Sequence, residues 1–335
     1  MTLAISDVLK NKSRKNFIDG CMEEVKNQMN LILRGYESEE LLKDIVDDCL
    51  NSSGKMIRSK LLIATSLLAN NEFYDRAICQ CAAVEITHLA SLIHDDIIDD
   101  SILRRGFIST QAKYGKDIAV FSGDFLIARV FSYLIEKRFY EEAMIISKTI
   151  EHMCNGEVGQ NSCKYKYDIS EERYFENIRG KTASFFKTVC YFGARNTGFN
   201  DEMIEKLSEF GLNLGLMFQL KDDLLDVFKS KEEIGKEEFK DFKEGIYTYP
   251  VIKALEDDRY KDKILSFINL NREKALTKED VLSLRSVFLN AGADFKTYKK
   301  INLLAKRNRE ILKDLPKDNL GRELLEKILE KVEKS

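Results

Sequence analysis

The chain has 335 residues, 44% of them hydrophobic, enough for one large core or two ordinary ones. Lys and Arg number 53 and Asp and Glu 56, a net charge of −3, so no strong field favours nucleic acid or an anionic membrane as a partner. Two prolines and 17 glycines are too few chain breakers for collagen-like, low-complexity or many-stranded β architectures.

In chain order, the opening MTLAISDVLKNKSRKNF has no apolar core and no cleavage-like site. Helical periodicity then predicts helices over 14–33, 38–50 and 56–69, with a break at Asn51-Ser52-Ser53-Gly54. From Phe73 to Ile98 apolar positions recur at steps of three and four without a glycine or proline, so one long helix is expected. After a break at Arg104-Arg105-Gly106, helices are predicted over 117–138, 140–160 and 171–195. Asn196-Thr197-Gly198 separates these from a second long helix over Asp201–Phe228, in which Gly211 and Gly215 offer room for another helix to approach. The charged stretch Lys229 to Gly245 reads as a loop, followed by helices over 248–256, 278–290, 294–314 and 319–333. The Lys- and Glu-rich chain after Asp257 reads as a solvated amphipathic helical cap. No linker and no 20–50-residue repeat divides the chain, so the expectation is all-α, a single domain over 1–335.

The seven cysteines (Cys21, Cys49, Cys79, Cys81, Cys154, Cys163 and Cys190) are scattered and contain no C-x-x-C pair. Buried reduced thiols fit this better than a disulfide framework or a zinc ribbon. No uninterrupted apolar run reaches the roughly 18 residues of a membrane span, so a soluble, cytoplasmic protein without a transmembrane segment is expected.

Two segments carry the chemistry: His94-Asp95-Asp96-Ile97-Ile98-Asp99-Asp100 and Gln219-Leu220-Lys221-Asp222-Asp223-Leu224-Leu225-Asp226. Both read D-D-x-x-D, which places the first and last Asp on one helix face, a turn apart. Like charges at that spacing repel, so two such clusters at the ends of long apolar helices call for a compensating cation. A single copy would be an ordinary charged helix end. Carboxylates select hard divalent ions, and Mg²⁺ typically binds one or two of them together with substrate phosphates. Gly54-Lys55-Met56-Ile57-Arg58 opens a helix, and Arg104-Arg105-Gly106 follows the first acidic cluster. Guanidinium forks and lysine point charges suit diphosphate.

With these residues in view, the chain resembles the trans-isoprenyl diphosphate synthases (polyprenyl synthetases). G-K-M-I-R resembles the family's G-K-x-x-R, and E-I-T-H-L-A-S-L-I-H-D-D-I-I-D-D-S-I-L-R-R-G its first aspartate-rich motif. G-D-F-L-I-A, K-T-A and G-L-M-F-Q-L-K-D-D-L-L-D resemble its later ones. The resemblance implies a helical bundle around a deep central cavity, usually as a homodimer, acting on isopentenyl diphosphate and an allylic diphosphate. It implies Mg²⁺ as cofactor, three ions with the bound allylic diphosphate. By the same carry-over, Asp95, Asp96 and Asp99 would hold Mg²⁺ against that diphosphate, with Asp222, Asp223 and Asp226 holding another ion. Arg104 and Lys236 would contact the allylic diphosphate, and Lys55, Arg58, His88 and Arg105 would hold isopentenyl diphosphate. Lys181, Thr182 and Gln219 would line the reaction centre.

Several positions depart from the family pattern. In the loop usually written G-K-x-x-G-x-D-x-x-x-G-K-x-T, Phe239 replaces the inner glycine and Ile246 the second lysine. This removes one cation, for which Lys240 or Lys243 is a substitute if the loop folds differently. Ser59 stands where proline is common.

Ala90 lies five residues before Asp95, roughly 7.5 Å down the helix axis, and is followed by Ser91. Short-chain members commonly place an aromatic floor here, so these small residues imply a product longer than farnesyl diphosphate. Phe131 or Tyr133 on a neighbouring helix is the candidate for an earlier floor.

Three alternatives are weaker. A class I terpene cyclase would not need Asp222-Asp223-Leu224-Leu225-Asp226 or a second set of diphosphate cations. A weakly active subunit of a heteromeric synthase would account for Ile246. Glu85-Ile86-Thr87-His88 reads as half of a di-iron site, but no second E-x-x-H occurs. His94 is expected to make a structural hydrogen bond.

Overall fold

A computed structural model describes residues 11–34, 39–51, 54–69, 74–229 and 238–334; Lys236 lies outside them. The described chain is all-α apart from one short hairpin, and it groups into two compact units.

The first unit comprises Met1–Ser147, Val189–Asn200 and Asp318–Leu324. It holds α1 (Asn11–Arg34), α2 (Glu40–Asn51), α3 (Ile57–Ser66) and α4 (Tyr74–Ile98). The hairpin β1 (Leu103–Arg104) and β2 (Phe107–Ile108) follows, then α5 (Thr110–Tyr114) and α6 (Lys116–Glu136). The long helix α4 is buried around most of its circumference because Ala77, Cys81, Ala82, Ala83, Val84, Ile86 and Ala90 occupy successive faces. It packs along α6 and also against α1 and α3. Small residues on α4 let Val130 and Leu134 of α6 and Val25 and Met29 of α1 bury fully.

The sequence suggested only a break at Arg104-Arg105-Gly106, but the structure has a two-residue hairpin there. Arg105 (φ 54°) and Gly106 (φ 85°) are both left-handed, as a type I′ turn requires, and Leu103 pairs with Ile108.

The second unit comprises Lys148–Thr188, Asp201–Lys317 and Leu325–Ser335. Helix α7 (Tyr140–Ser162) contributes to both units. The predicted helix over 171–195 is interrupted: α8 (Glu171–Ile178) passes through a π-helical turn, Arg179–Ala183, into α9 (Ser184–Arg195). Helix α10 has the predicted bounds, Asp201–Phe228. Gly215 is the close approach foreseen: a Cβ there would come within 2.6 Å of the Ala183 backbone, so the π turn packs directly on α10.

Beyond α10 come α11 (Lys240–Lys243), α12 (Tyr249–Leu255), α13 (Asp258–Glu273), α14 (Lys278–Asn290), α15 (Ala293–Lys313) and α16 (Leu320–Lys334). The charged chain after Asp257 is indeed helical, yet it is more than a solvated cap. Ile264, Phe267, Ile268, Leu284 and Phe288 build a core with Phe239, Phe242 and Tyr247.

Five of the seven cysteines are buried, Cys79 is half-buried and Cys154 exposed, all as free thiols. Although no uninterrupted apolar run is that long, α4 and α6 are by length and composition long and apolar enough to cross a membrane. In α4 most of that apolar stretch is buried inside the protein.

Candidate active site

In the first unit, α4 delivers Asp95 half-buried and Asp96 buried, and Asp99 follows one turn later in solvent. The helix ends there: the Asp99 N–H still donates to the Asp95 carbonyl at 2.9 Å, and Asp100 turns left-handed. Asp96 accepts both Nε (2.8 Å) and a terminal nitrogen of Arg104, so this carboxylate fastens the hairpin to the helix. His94 makes a structural pairing, with Asp124 on α6 at 3.4 Å, and Gly123 leaves room for its ring.

Four predicted residues, His88, Arg58, Arg104 and Arg105, act on one another electrostatically. His88 is held well below the usual imidazole range by burial and by Arg58, Arg105 and Arg104, in that order. Burial also lowers the Arg58 guanidinium to about 10, with Glu85 opposing and Arg105 adding. An imidazole kept neutral within the field of three guanidiniums marks a strongly cationic cluster. Gly54 lies directly against the Arg105 guanidinium, which a Cβ at that position would approach to 2.4 Å. Lys55 is exposed just ahead of α3. Glu85, read from sequence only as half of a metal motif, instead accepts the Ser59 N–H (3.0 Å) and hydroxyl (2.8 Å), fixing the first turn of α3.

In the second unit, the π turn presents Lys181 and Thr182. Such turns add a residue to the helix and re-aim side chains, commonly at functional positions. Lys181 Nζ reaches Gln160 and Glu157, each at 3.0 Å. Thr182 donates to Gln219 Oε1 (2.8 Å), whose amide donates to Asp223 Oδ1 (3.1 Å). Asp223 also accepts the Tyr174 hydroxyl and, at 3.5 Å, the Tyr249 N–H. Three of the predicted residues thus form one hydrogen-bonded chain, with Asp223 buried at its end and Asp222 exposed.

Asp226 accepts the Lys240 N–H at 2.9 Å through Oδ1, while its buried Oδ2 has no hydrogen-bond partner among the described residues. Burial and the nearby Asp241 push its carboxyl well above the usual range. The same two causes raise Asp223 to about 7, against the hydrogen bonds from Tyr174 and Gln219. Asp241 is itself raised by burial and by Asp222, with Lys181 opposing.

Asp241 and Tyr174 are site residues missing from the sequence-derived set. Asp241 stands at the aspartate of the loop pattern G-K-x-x-G-x-D, two residues after Phe239. Tyr174 has no motif. Ile246 lines a small cleft, with room for about one water molecule, together with Cys163, Tyr174, Asn177, Tyr247 and Thr248. Lys240 lies near Asp241 and pairs with Glu244 at 3.6 Å.

Clustered carboxylates whose charge is penalised by burial and by one another, one of them with an unmatched oxygen, fit a divalent cation. Among the described residues no three metal-type side chains converge as a ready-made cage. Magnesium does not require one, since it keeps waters and shares phosphate oxygens.

Residues 39–284 match the family model described as polyprenyl synthetase. The chain is 33% identical over 267 residues to a geranylgeranyl diphosphate synthase of Saccharolobus solfataricus, covering 77% of this chain and 80% of that one. It is 32% identical over 257 residues to a heptaprenyl diphosphate synthase component 2 of Geobacillus stearothermophilus, covering 76% and 79%. A solved polyprenyl synthase from Caulobacter crescentus, complexed with calcium and isoprenyl diphosphate, superposes with a TM-score of 0.81 at 28% identity over 96% of this chain and 95% of that chain.

Proposed function

The chain belongs to the polyprenyl synthetase family and is a prenyltransferase, and from that premise we propose that it condenses an allylic diphosphate with isopentenyl diphosphate. The product would be a trans-polyprenyl diphosphate longer than farnesyl, with Mg²⁺ as the metal. The observation that carries this reading is the grouping of Arg58, Arg104 and Arg105 around a neutral His88. A cyclase has one diphosphate to bind and no need for such a cluster, whereas a condensing enzyme must hold the isopentenyl diphosphate as well.

In this reading Asp95, Asp96 and Asp99, and Asp222, Asp223 and Asp226, are the carboxylates that would hold magnesium. When bound, the metal neutralises diphosphate charge as the allylic C–O bond breaks. The chain's own residues do the remaining work. Lys55, Arg58, His88 and Arg105 fix isopentenyl diphosphate so that its double bond meets the allylic carbon. Arg104 and Lys236 take charge from the leaving diphosphate. The Thr182–Gln219–Asp223 chain holds the Gln219 amide in one orientation, and the reaction requires that water, which would trap the cation, be kept out.

Product length follows from the walls of the hydrocarbon chain. Ala90 is fully buried, and the Ser91 hydroxyl is turned back onto the His88 carbonyl at 2.9 Å. The Tyr133 hydroxyl donates to Cys79 at 2.7 Å and accepts from Gln28 at 3.0 Å. Cys79 lies roughly 24 Å down α4 from Asp95 at about 1.5 Å per residue, well past Ala90. That supports a chain longer than farnesyl.

For quaternary structure, the reading is a homodimer. Val120, Phe121 and Ile135 of α6 are exposed and apolar, which suits a second copy. The likeness to a component 2 protein favours a heteromer as the second reading, in keeping with Ile246. The expected location is the cytoplasm, in keeping with free thiols.

Incubating the purified chain with Mg²⁺, labelled isopentenyl diphosphate and allylic primers of several lengths tests all of this. A chain-extended diphosphate is expected. A cyclised hydrocarbon would mean a cyclase, and incorporation only after a partner is added would mean a subunit.

A further inference from the structure

One guanidinium joins the end of α10 to Glu238 and Phe239, next to the second acidic motif. Arg285, on α14, donates Nε to the Val227 carbonyl (3.1 Å) and a terminal nitrogen to the Lys229 carbonyl (3.3 Å), the last turn of α10 and the residue after it. The same terminal nitrogen reaches Glu238 at 2.5 Å, and the guanidinium carbon lies 5.6 Å from the centre of the Phe239 ring. A cation on carbonyls at a helix C-terminus is favourable by both hydrogen bonding and the helix dipole.

Phe239 completes the arrangement. It occupies a left-handed conformation (φ 54°) that bulky residues rarely take. In exchange its ring is fully buried and stacked on Phe288 at 6.0 Å. With Phe239 fixed, its N–H donates to the Asp226 carbonyl (3.0 Å), and the next N–H, of Lys240, donates to Asp226 Oδ1 (2.9 Å). Asp241 follows directly. Arg285 therefore holds the two backbone segments that set where the Asp226 and Asp241 carboxylates sit.

We propose that Arg285 is a positioning residue for the second acidic cluster, acting through Glu238 and Phe239 to hold Asp226 and Asp241 ready for a divalent cation. The proposal rests on the reading of Asp222 and Asp226 as cation ligands. It applies to this chain in particular, because an aromatic ring rather than a glycine stands at position 239 for the guanidinium to cover.

The test uses Mn²⁺ with inorganic diphosphate and follows water-proton relaxation, which separates Mn²⁺ on the protein from the small Mn²⁺–diphosphate complex. Binding of isopentenyl diphosphate without metal is measured in parallel by equilibrium dialysis. Arg285→Gln is expected to weaken Mn²⁺ binding by up to about tenfold, no more than the low end for a direct partner of a ligand, because Arg285 acts on the carboxylates only through the chain that carries them, with isopentenyl diphosphate affinity unchanged. Arg285→Lys restores part of the loss, since an ammonium reaches Glu238 or a carbonyl but lacks the fork.

Mn²⁺ binding equal to wild type in Arg285→Gln would overturn the proposal. An equal loss of both ligands would also overturn it, as the mark of a general structural role. Should Arg285→Gln not fold, Glu238→Gln carries the test, with Mn²⁺ binding measurably weaker than wild type expected and no change overturning it. Wild-type protein that shows no relaxation enhancement would instead defeat the assignment of the acidic motif, and the clamp with it.

Discussion

Ser59 gives both of its donors, backbone N–H at 3.0 Å and hydroxyl at 2.8 Å, to a single oxygen of the buried Glu85. Proline, common at this position in the family, has no N–H to give, so this chain fixes the first turn of α3 differently. Ser59→Ala removes one bond and is expected to cost about 1 kcal/mol. Ser59→Pro removes both from a buried carboxylate and is expected to cost about 2–3 kcal/mol. Denaturant midpoints of the two variants give the comparison, and a Ser59→Pro protein as stable as wild type would show that Glu85 does not depend on these donors.

His88 gives the first unit a pH dependence with a defined sign. Its folded pKa is depressed, by burial first and then by Arg58, Arg105 and Arg104, so below the unfolded value near 6.5 the unfolded chain binds the extra proton. Stability is present above that pH and is lost as pH falls. Between pH 7.5 and 5.5 the wild type should lose about 1 kcal/mol more than His88→Gln. Equal losses would mean that the imidazole is not held neutral.

The carboxylates of the second unit carry the opposite sign. Asp223 is raised to about 7, and Asp226 is raised as well, by burial and by Asp241. The native state therefore binds more protons than the unfolded one between the ordinary carboxylate range and about pH 7. Stability is present at the acid end of that window and lost as pH rises through it. Melting of the metal-free protein should fall by several degrees from pH 5 to pH 8. Mg²⁺ with diphosphate should restore more at pH 8 than at pH 6, because the cation replaces the protons. Asp226→Asn should flatten both trends, and a wild-type profile in that variant would contradict the account.

Much of this was legible in the sequence. Periodicity located α10 between its true ends and α4 to within a residue, because both are long, regular and free of breakers. The cationic cluster was legible as motifs, since Arg58, His88, Arg104 and Arg105 each belong to a short pattern. What the sequence hid depends on tertiary contact. The π turn at Arg179–Ala183 sits where Gly156 and Gly180 let two helices touch, which no local pattern announces. The hairpin at Arg104–Phe107 puts an arginine in a left-handed position that propensity disfavours. Tyr174 belongs to no motif, and only the folded chain brings its hydroxyl onto Asp223.

Ala90 tests the product-length argument. The residue is fully buried on α4, and a phenyl ring there would occupy the path that the reading assigns to the growing chain. Ala90→Phe should shorten the product, read by chromatography of the dephosphorylated alcohols. An unchanged distribution in a folded variant would refute this path for the hydrocarbon.

The central claim is that both acidic motifs serve magnesium-dependent chain extension. It is tested most directly by following label from isopentenyl diphosphate into allylic product for wild type, Asp95→Asn and Asp222→Asn at saturating Mg²⁺. The account predicts steady incorporation by the wild type and a loss of about a hundredfold or more in each variant. Either variant extending chains at close to the wild-type rate would contradict it.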